Sequence, residues 1–149
     1  MLDKIYKLIG SGIYSGYFPF ASGTIGSIVA LLFFLIPDFE KPIIIIPAII
    51  ISFFVGIYLG NYFESIYGKD PKEFTLDEFV GTWITFLFVP KTIPFLIGGF
   101  IIWRFFDIIK PFPANKLESL KGGLGIMLDD VVSGMYSLLI IYIFKIVLY

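Results

Sequence analysis

Cysteine and histidine are both missing from the 149 residues of the chain. Their absence removes disulfides, thiol nucleophiles, zinc-finger spacings and imidazole acid–base catalysis together. Glutamine is absent too, and Arg104 is the single arginine. Charge is scarce at 15% of residues with a net value of −1, so the basic excess of a nucleic-acid-binding surface is lacking. Chemistry must rest on carboxylates, hydroxyls and a few cations, most simply with a metal ion.

What is present is apolar. Hydrophobic residues make up 58% and aromatic residues 19%, well outside the composition of soluble domains. A soluble chain this short could not cover so much Ile and Phe, because its surface is large relative to its volume. One membrane domain spanning residues 1–149 is expected. Apolar stretches run from Gly23 to Pro37, Ile43 to Gly60, Leu76 to Val89, Ile93 to Ile109 and Val131 to Tyr149. The second and fifth approach the ~20 residues that cross a hydrocarbon core, whereas the others need flanking residues, tilt or bilayer thinning. An isolated strand in lipid leaves its backbone unpaired, so even the β-prone isoleucine run after Ile43 is read as helix. The expected fold is all-α, a polytopic membrane helical bundle of about four to five transmembrane or membrane-embedded helices. No small-residue cleavage site follows a short apolar stretch near the start, so no removable signal peptide is expected.

Cytoplasmic loops collect Lys and Arg. With the N-terminus inside, five crossings place Lys4, Lys7, Lys69, Lys72, Arg104, Lys110, Lys116 and Lys121 on the cytoplasmic side, leaving Lys41, Lys91 and Lys145 outside. The same assignment puts Asp77-Glu78 at the inner start of the third helix, Arg104 to Lys110 at the inner end of the fourth, and Asp129-Asp130 at the inner start of the fifth. Three polar clusters thus converge on one face.

Asp77 and Glu78 open a run in which Gly81, Thr82 and Thr85 share the acidic face. Carboxylates in a first helical turn are also common caps that favour the dipole, so capping and function both remain open for this pair. Asp129 and Asp130 repeat the pattern, followed by Ser133, Gly134 and Ser137. Charged side chains at membrane depth cost about 2.5–3.5 kcal/mol each even on insertion scales, and clustered like charges repel. A divalent cation is the simplest species to hold them, and oxygen ligands without His or Cys favour Mg²⁺ over Zn²⁺. In the alternative, each pair caps its own helix in water. Arg104, Asp107 and Lys110 recur every third residue and roughly share a helix face. They can form a salt-bridge ladder, or bind phosphate through the planar fork of Arg104 and the point charge of Lys110. Glycine-rich pieces at Gly10–Gly16, Ala21–Ser27 and Lys121–Asp130 allow close approach of backbone N–H groups to an anion, or close helix packing, and none has the ending of a P-loop.

Four segments in order, Gly10-Ser-Gly with Gly23-Thr-Ile-Gly-Ser27, Asp77-Glu-Phe-Val-Gly81, Arg104-Phe-Phe-Asp107-Ile-Ile-Lys110-Pro111-Phe-Pro113 and Gly122-Gly-Leu-Gly-Ile-Met-Leu-Asp-Asp130, resemble the phosphatidylglycerophosphatase A family. Ser22 departs from the proline usual before the Gly-Thr of that family. The resemblance implies a Mg²⁺-dependent, multi-pass enzyme of the cell inner membrane that removes the phosphate of phosphatidylglycerophosphate to leave phosphatidylglycerol, with its active site facing the cytoplasm. It implies catalytic and metal-binding roles for Asp77, Glu78, Asp129 and Asp130, phosphate binding by Arg104, Lys110, Gly23 and Thr24, and supporting roles for Asp107 and Ser27. The phospholipid and the membrane are its expected partners, with no nucleic acid and no protein partner. A membrane transport or channel component using the carboxylates as a proton or cation path is the competing reading, and it predicts acids at mid-helix depth. A non-catalytic scaffold packed through Gly56, Gly60, Gly98 and Gly99 is another.

Overall fold

Pro42 begins the more apolar of the two long helices at a position where a missing N–H costs nothing. From there α3 runs over Pro42–Tyr67, 26 residues, and ends at Gly68, whose φ of +94° suits glycine. The computed structural model describes residues 1–148, and all regular structure among them is helical. In chain order the α-helices are α1 (Leu2–Gly10), α2 (Ser22–Phe34), α3, α4 (Leu76–Thr85), α5 (Ile93–Ile109), the short α6 (Ala114–Leu117) and α7 (Gly122–Leu148), with a single 3₁₀ turn at Ser15–Tyr17.

Two helices, α3 and α7, are long and apolar enough to cross a membrane. At ~1.5 Å per residue each spans about 40 Å. Only 22% of the apolar window of each is buried inside the protein, whereas the core helix of a soluble protein would be mostly covered. Ile50, Ile51 and Phe54 on α3 and Leu139, Ile143 and Ile146 on α7 are all exposed. Lipid is the surrounding that does not penalise them.

The fifth apolar stretch differs from expectation at its start. Tyr149 lies outside the described residues, and the helix starts at Gly122, not Val131. The glycines of 122–125 read as loop on propensity, yet they are helical because α3 lies against them. A Cβ on Gly123 would stand 2.0 Å from the Ile57 carbonyl oxygen, and one on Gly60 would stand 2.6 Å from the Gly123 Cα. Asn61 on α3 accepts the Gly123 N–H at 2.8 Å, capping α7 from a neighbouring helix. Asp129 and Asp130 therefore sit in the third turn of α7, not at its start.

At the centre lies α4, every residue of which is buried, enclosed by α2, α3, α5 and α7. Trp83 on α4 donates its indole N–H to the Ala30 carbonyl of α2 at 3.0 Å. The bundle has two chemically different ends. At one, Lys91 pairs with Glu40 at 2.5 Å and donates to the Ile36 carbonyl, and Lys145 donates to the Phe88 carbonyl. The starts of α2 and α4 meet the end of α5 at the other, and the acidic residues gather there.

Candidate active site

Close approach of α4 and α7 decides which acids face each other. A Cβ on Gly134 would lie 2.8 Å from the Gly81 carbonyl oxygen, so the two backbones nearly touch. One helical turn earlier on each helix stand Glu78 and Asp130. From α5, Asp107 completes the group: one carboxylate oxygen of each of Glu78, Asp107 and Asp130 lies within 4.8 Å of the others, and all three residues are buried.

Arg104 spans two of these acids. Its Nη1 lies 2.6 Å from Glu78 Oε2 and 2.8 Å from Asp107 Oδ2. Ser27, fully buried on α2, donates its hydroxyl to Glu78 Oε2 at 2.8 Å while accepting the indole N–H of Trp103 at 3.0 Å and an Arg104 N–H at 3.2 Å. With two donors pointing at its oxygen, the Ser27 hydroxyl proton is directed to Glu78. Gly23 makes room for that carboxylate, since a Cβ there would lie 2.3 Å from Glu78 Oε1. Thr24 is half-buried in the same first turn of α2.

The remaining acids behave differently. Asp77 is buried at the start of α4 and its Oδ1 accepts the Glu78 N–H at 2.9 Å. Asp129 Oδ1 likewise accepts the Asp130 N–H at 3.0 Å, while its Oδ2 forms an ion pair with Lys110. Lys110 also reaches Glu118 at 3.5 Å. It ends α5 in a left-handed conformation with φ of +49°, directly before Pro111, which disfavours a continued helix. Burial works against the Lys110 charge, but the carboxylates of Asp130 and Asp129 outweigh it and hold the ammonium above the usual lysine value.

Glu78, Asp107, Asp130, Arg104, Ser27 and Gly23 are thus brought into one contact network, with Asp129 and Lys110 paired beside it. The glycines of 10–16 are not in it. Gly12 backs onto Phe79 and Thr75, and Gly16 onto the Glu73 carbonyl, so this loop packs on the approach to α4. Trp103 and Glu118 join the site through the fold. Trp103 had one signal, its place beside the only arginine in an apolar run; nothing in the sequence tied Glu118 to Lys110.

Two buried carboxylates, those of Glu78 and Asp107, hold the Arg104 guanidinium, and a third, that of Asp130, lies within 4.8 Å of them. The buried Asp130 Oδ2 has no hydrogen-bond partner in the protein. A carboxylate with an unsatisfied oxygen, set beside two others, fits a metal ion, because a cation would both satisfy it and relieve the repulsion. The residues present therefore fit a metal, with Glu78, Asp107 and Asp130 as its holders.

An oxygen-rich acidic centre flanked by Arg104 and Lys110, at one end of a bundle whose long helices expose apolar faces, suits an enzyme that acts on phosphoryl groups. The match that specifies it is extensive: residues 8–145 fit the family Phosphatidylglycerophosphatase A, and the chain belongs to that family. It is a phosphatase. Relatives named Phosphatidylglycerophosphatase A occur in Escherichia coli, 32% identical over 95% of this chain and 84% of its own length, and in Haemophilus influenzae, 32% identical over 95% and 89%. A Bacteroides thetaiotaomicron protein named as a candidate phosphatidylinositol-3-phosphatase is 42% identical over 90% of this chain and 89% of its own. No solved structure matches the chain.

Proposed function

We propose that the chain hydrolyses the phosphomonoester of phosphatidylglycerophosphate to phosphatidylglycerol and inorganic phosphate, with Mg²⁺ held by Glu78, Asp107 and Asp130. The observation that carries this reading is the convergence of those three carboxylates within 4.8 Å beside Arg104. The family and its two named phosphatidylglycerophosphatase relatives supply the substrate. When bound, the metal supplies positive charge against the phosphoryl oxygens and makes a water more acidic. Arg104, already placed by Glu78 and Asp107, and Lys110, placed by Asp129, bind the phosphate and offset charge that grows on its oxygens. Gly23 and Thr24 form the α2 side of the phosphate pocket. Ser27 and Trp103 fix the Glu78 carboxylate. Hydrolysis breaks the bond between phosphorus and the lipid oxygen and forms one to a water oxygen. The water gives up a proton to Asp77, and that proton passes on to the departing lipid oxygen, which leaves as the alcohol.

The site lies on the cytoplasmic side of the inner membrane in this reading. Support comes from the charge split, with Lys41, Lys91 and Lys145 belonging to the end remote from the acids. α2, α4 and α5 are membrane-embedded alongside α3 and α7, which the exposed Ile97, Ile101 and Phe105 of α5 and Leu32 of α2 favour.

The 42% identical relative favours a second substrate, a phosphoinositide monoester. One experiment tests both: phosphate release by detergent-purified protein from phosphatidylglycerophosphate and from phosphatidylinositol 3-phosphate, with Mg²⁺ or with EDTA. Mg²⁺-dependent release from the first, abolished in Asp130→Asn, is the expected result. Preference for the second lipid moves the substrate assignment, and release undiminished in EDTA removes the metal.

A further inference from the structure

The amphipathic first helix takes no part in the chemistry above. Among the other helices, α1 packs chiefly on α3. Tyr6 packs edge-on against Tyr58 and Tyr62 of α3, with ring centroids 5.8 and 5.1 Å away, and its hydroxyl is 3.2 Å from that of Tyr58. The Tyr62 hydroxyl donates to Asp3, which also pairs with Lys7 at 3.0 Å. A second face carries Leu2, Ile5 and Ile9, which are 63%, 42% and 42% exposed. Lys4 and Lys7 point the opposite way around the helix, outnumbering Asp3.

We propose that α1 is an in-plane anchor, seated in the headgroup–acyl boundary of the bilayer with Leu2, Ile5 and Ile9 down and Lys4 and Lys7 up. Three features single out lipid as the occupant. The exposed face of α1 continues directly into the exposed face of α3. A shallow apolar groove of about 360 Å³ joins Ile5 and Ile9 to Phe54 and Tyr58, so one solvent must wet both. The docking point on α3 lies in its last three turns, the level at which a spanning helix leaves the hydrocarbon. Phenol hydroxyls recur through these turns, those of Tyr58 and Tyr62 and the Tyr17–Tyr67 pair at 2.9 Å, as aromatic belts do in the interfacial zone of a membrane. Lysines above and apolar side chains below are the pattern of a helix lying about 5–10 Å into the headgroup boundary.

The seat matters because α1 is tied to the site. The carbonyl of Gly10, its last residue, accepts the N–H of Thr75 at 2.9 Å, and the Ser15 hydroxyl bonds that of Thr75 at 2.9 Å, two residues before Asp77. The depth of α1 thereby sets the depth of the acidic centre.

The chain lacks cysteine, so a nitroxide placed through Leu2→Cys, Ile5→Cys, Ile9→Cys or Lys4→Cys is unique. In vesicles of phosphatidylethanolamine and phosphatidylglycerol, labels at positions 2, 5 and 9 are expected to collide with dissolved oxygen several-fold more readily than with a water-soluble nickel chelate. The label at position 4 reverses that ratio. Equal access of the nickel chelate to all four positions overturns the proposal. So does exclusion of both reagents from positions 2, 5 and 9, which marks a covering protein surface. Leu2 is the most exposed of the three apolar positions, at 63%, so a folding fault caused by a label at Ile5 or Ile9 leaves the test intact.

Discussion

Replacing Asp130 by Asn should stabilise the metal-free protein while abolishing its response to Mg²⁺. Three carboxylate oxygens within 4.8 Å repel one another by about 3.5 kcal/mol per ionised pair at an effective dielectric near 20. Proton uptake relieves much of that, leaving about 2 kcal/mol to be gained by removing one charge while keeping its shape. Asn also offers a donor to the neighbouring carboxylates where Asp130 Oδ2 has no partner. For a chain of this size the gain is a rise in Tm of about 4–8 °C, read in detergent with EDTA by thermal unfolding. Mg²⁺ at a hundred times its Kd stabilises wild type by about 2.7 kcal/mol, a rise of about 5–10 °C. It should leave the variant unmoved. A variant less stable than wild type in EDTA, together with an equal Mg²⁺ shift in both, would refute the composite carboxylate site.

Lys110→Met should lower kcat/KM by about 10- to 150-fold, the loss of a charge-assisted hydrogen bond to phosphate. Asp129→Asn should lower it less, and the Mg²⁺ concentration for half-activity should stay put in both; a shift in Asp129→Asn would return Asp129 to the metal. Gly81→Ala should destabilise the fold by about 1–3 kcal/mol, because its Cβ would stand 2.0 Å from the buried Trp103 ring. Gly98→Ala, which meets nothing within 4 Å, should not, and thermal melts of the pair decide the matter.

Helix was legible along the chain because lipid leaves a backbone few other ways to pair its polar groups, and the fourth stretch, Ile93–Ile109, matches α5 end to end. The start of α7 was not legible. Glycine carries a low helical propensity in any local reading, and the Asn61 cap and the Ile57 backbone that make Gly123 helical come from 60 or so residues away in sequence. Likewise α4 reads as one more apolar segment, and only packing on all sides makes it the buried centre.

The sequence by itself determined the chemistry: oxygen ligands without imidazole or thiol, one arginine, a lysine before Pro111, and an apolar chain to hold them. It could not choose among the acids. Asp129 and Asp130 are the same side chain one position apart, pointing about 100° from each other on a helix. Which of them joins Glu78 and which holds Lys110 depends on where α4 crosses α7. That crossing is set by two glycines, Gly81 and Gly134, that meet only in the folded chain. The tertiary structure alone therefore put Asp130 with Glu78 and Asp107 and left Asp129 with the lysine.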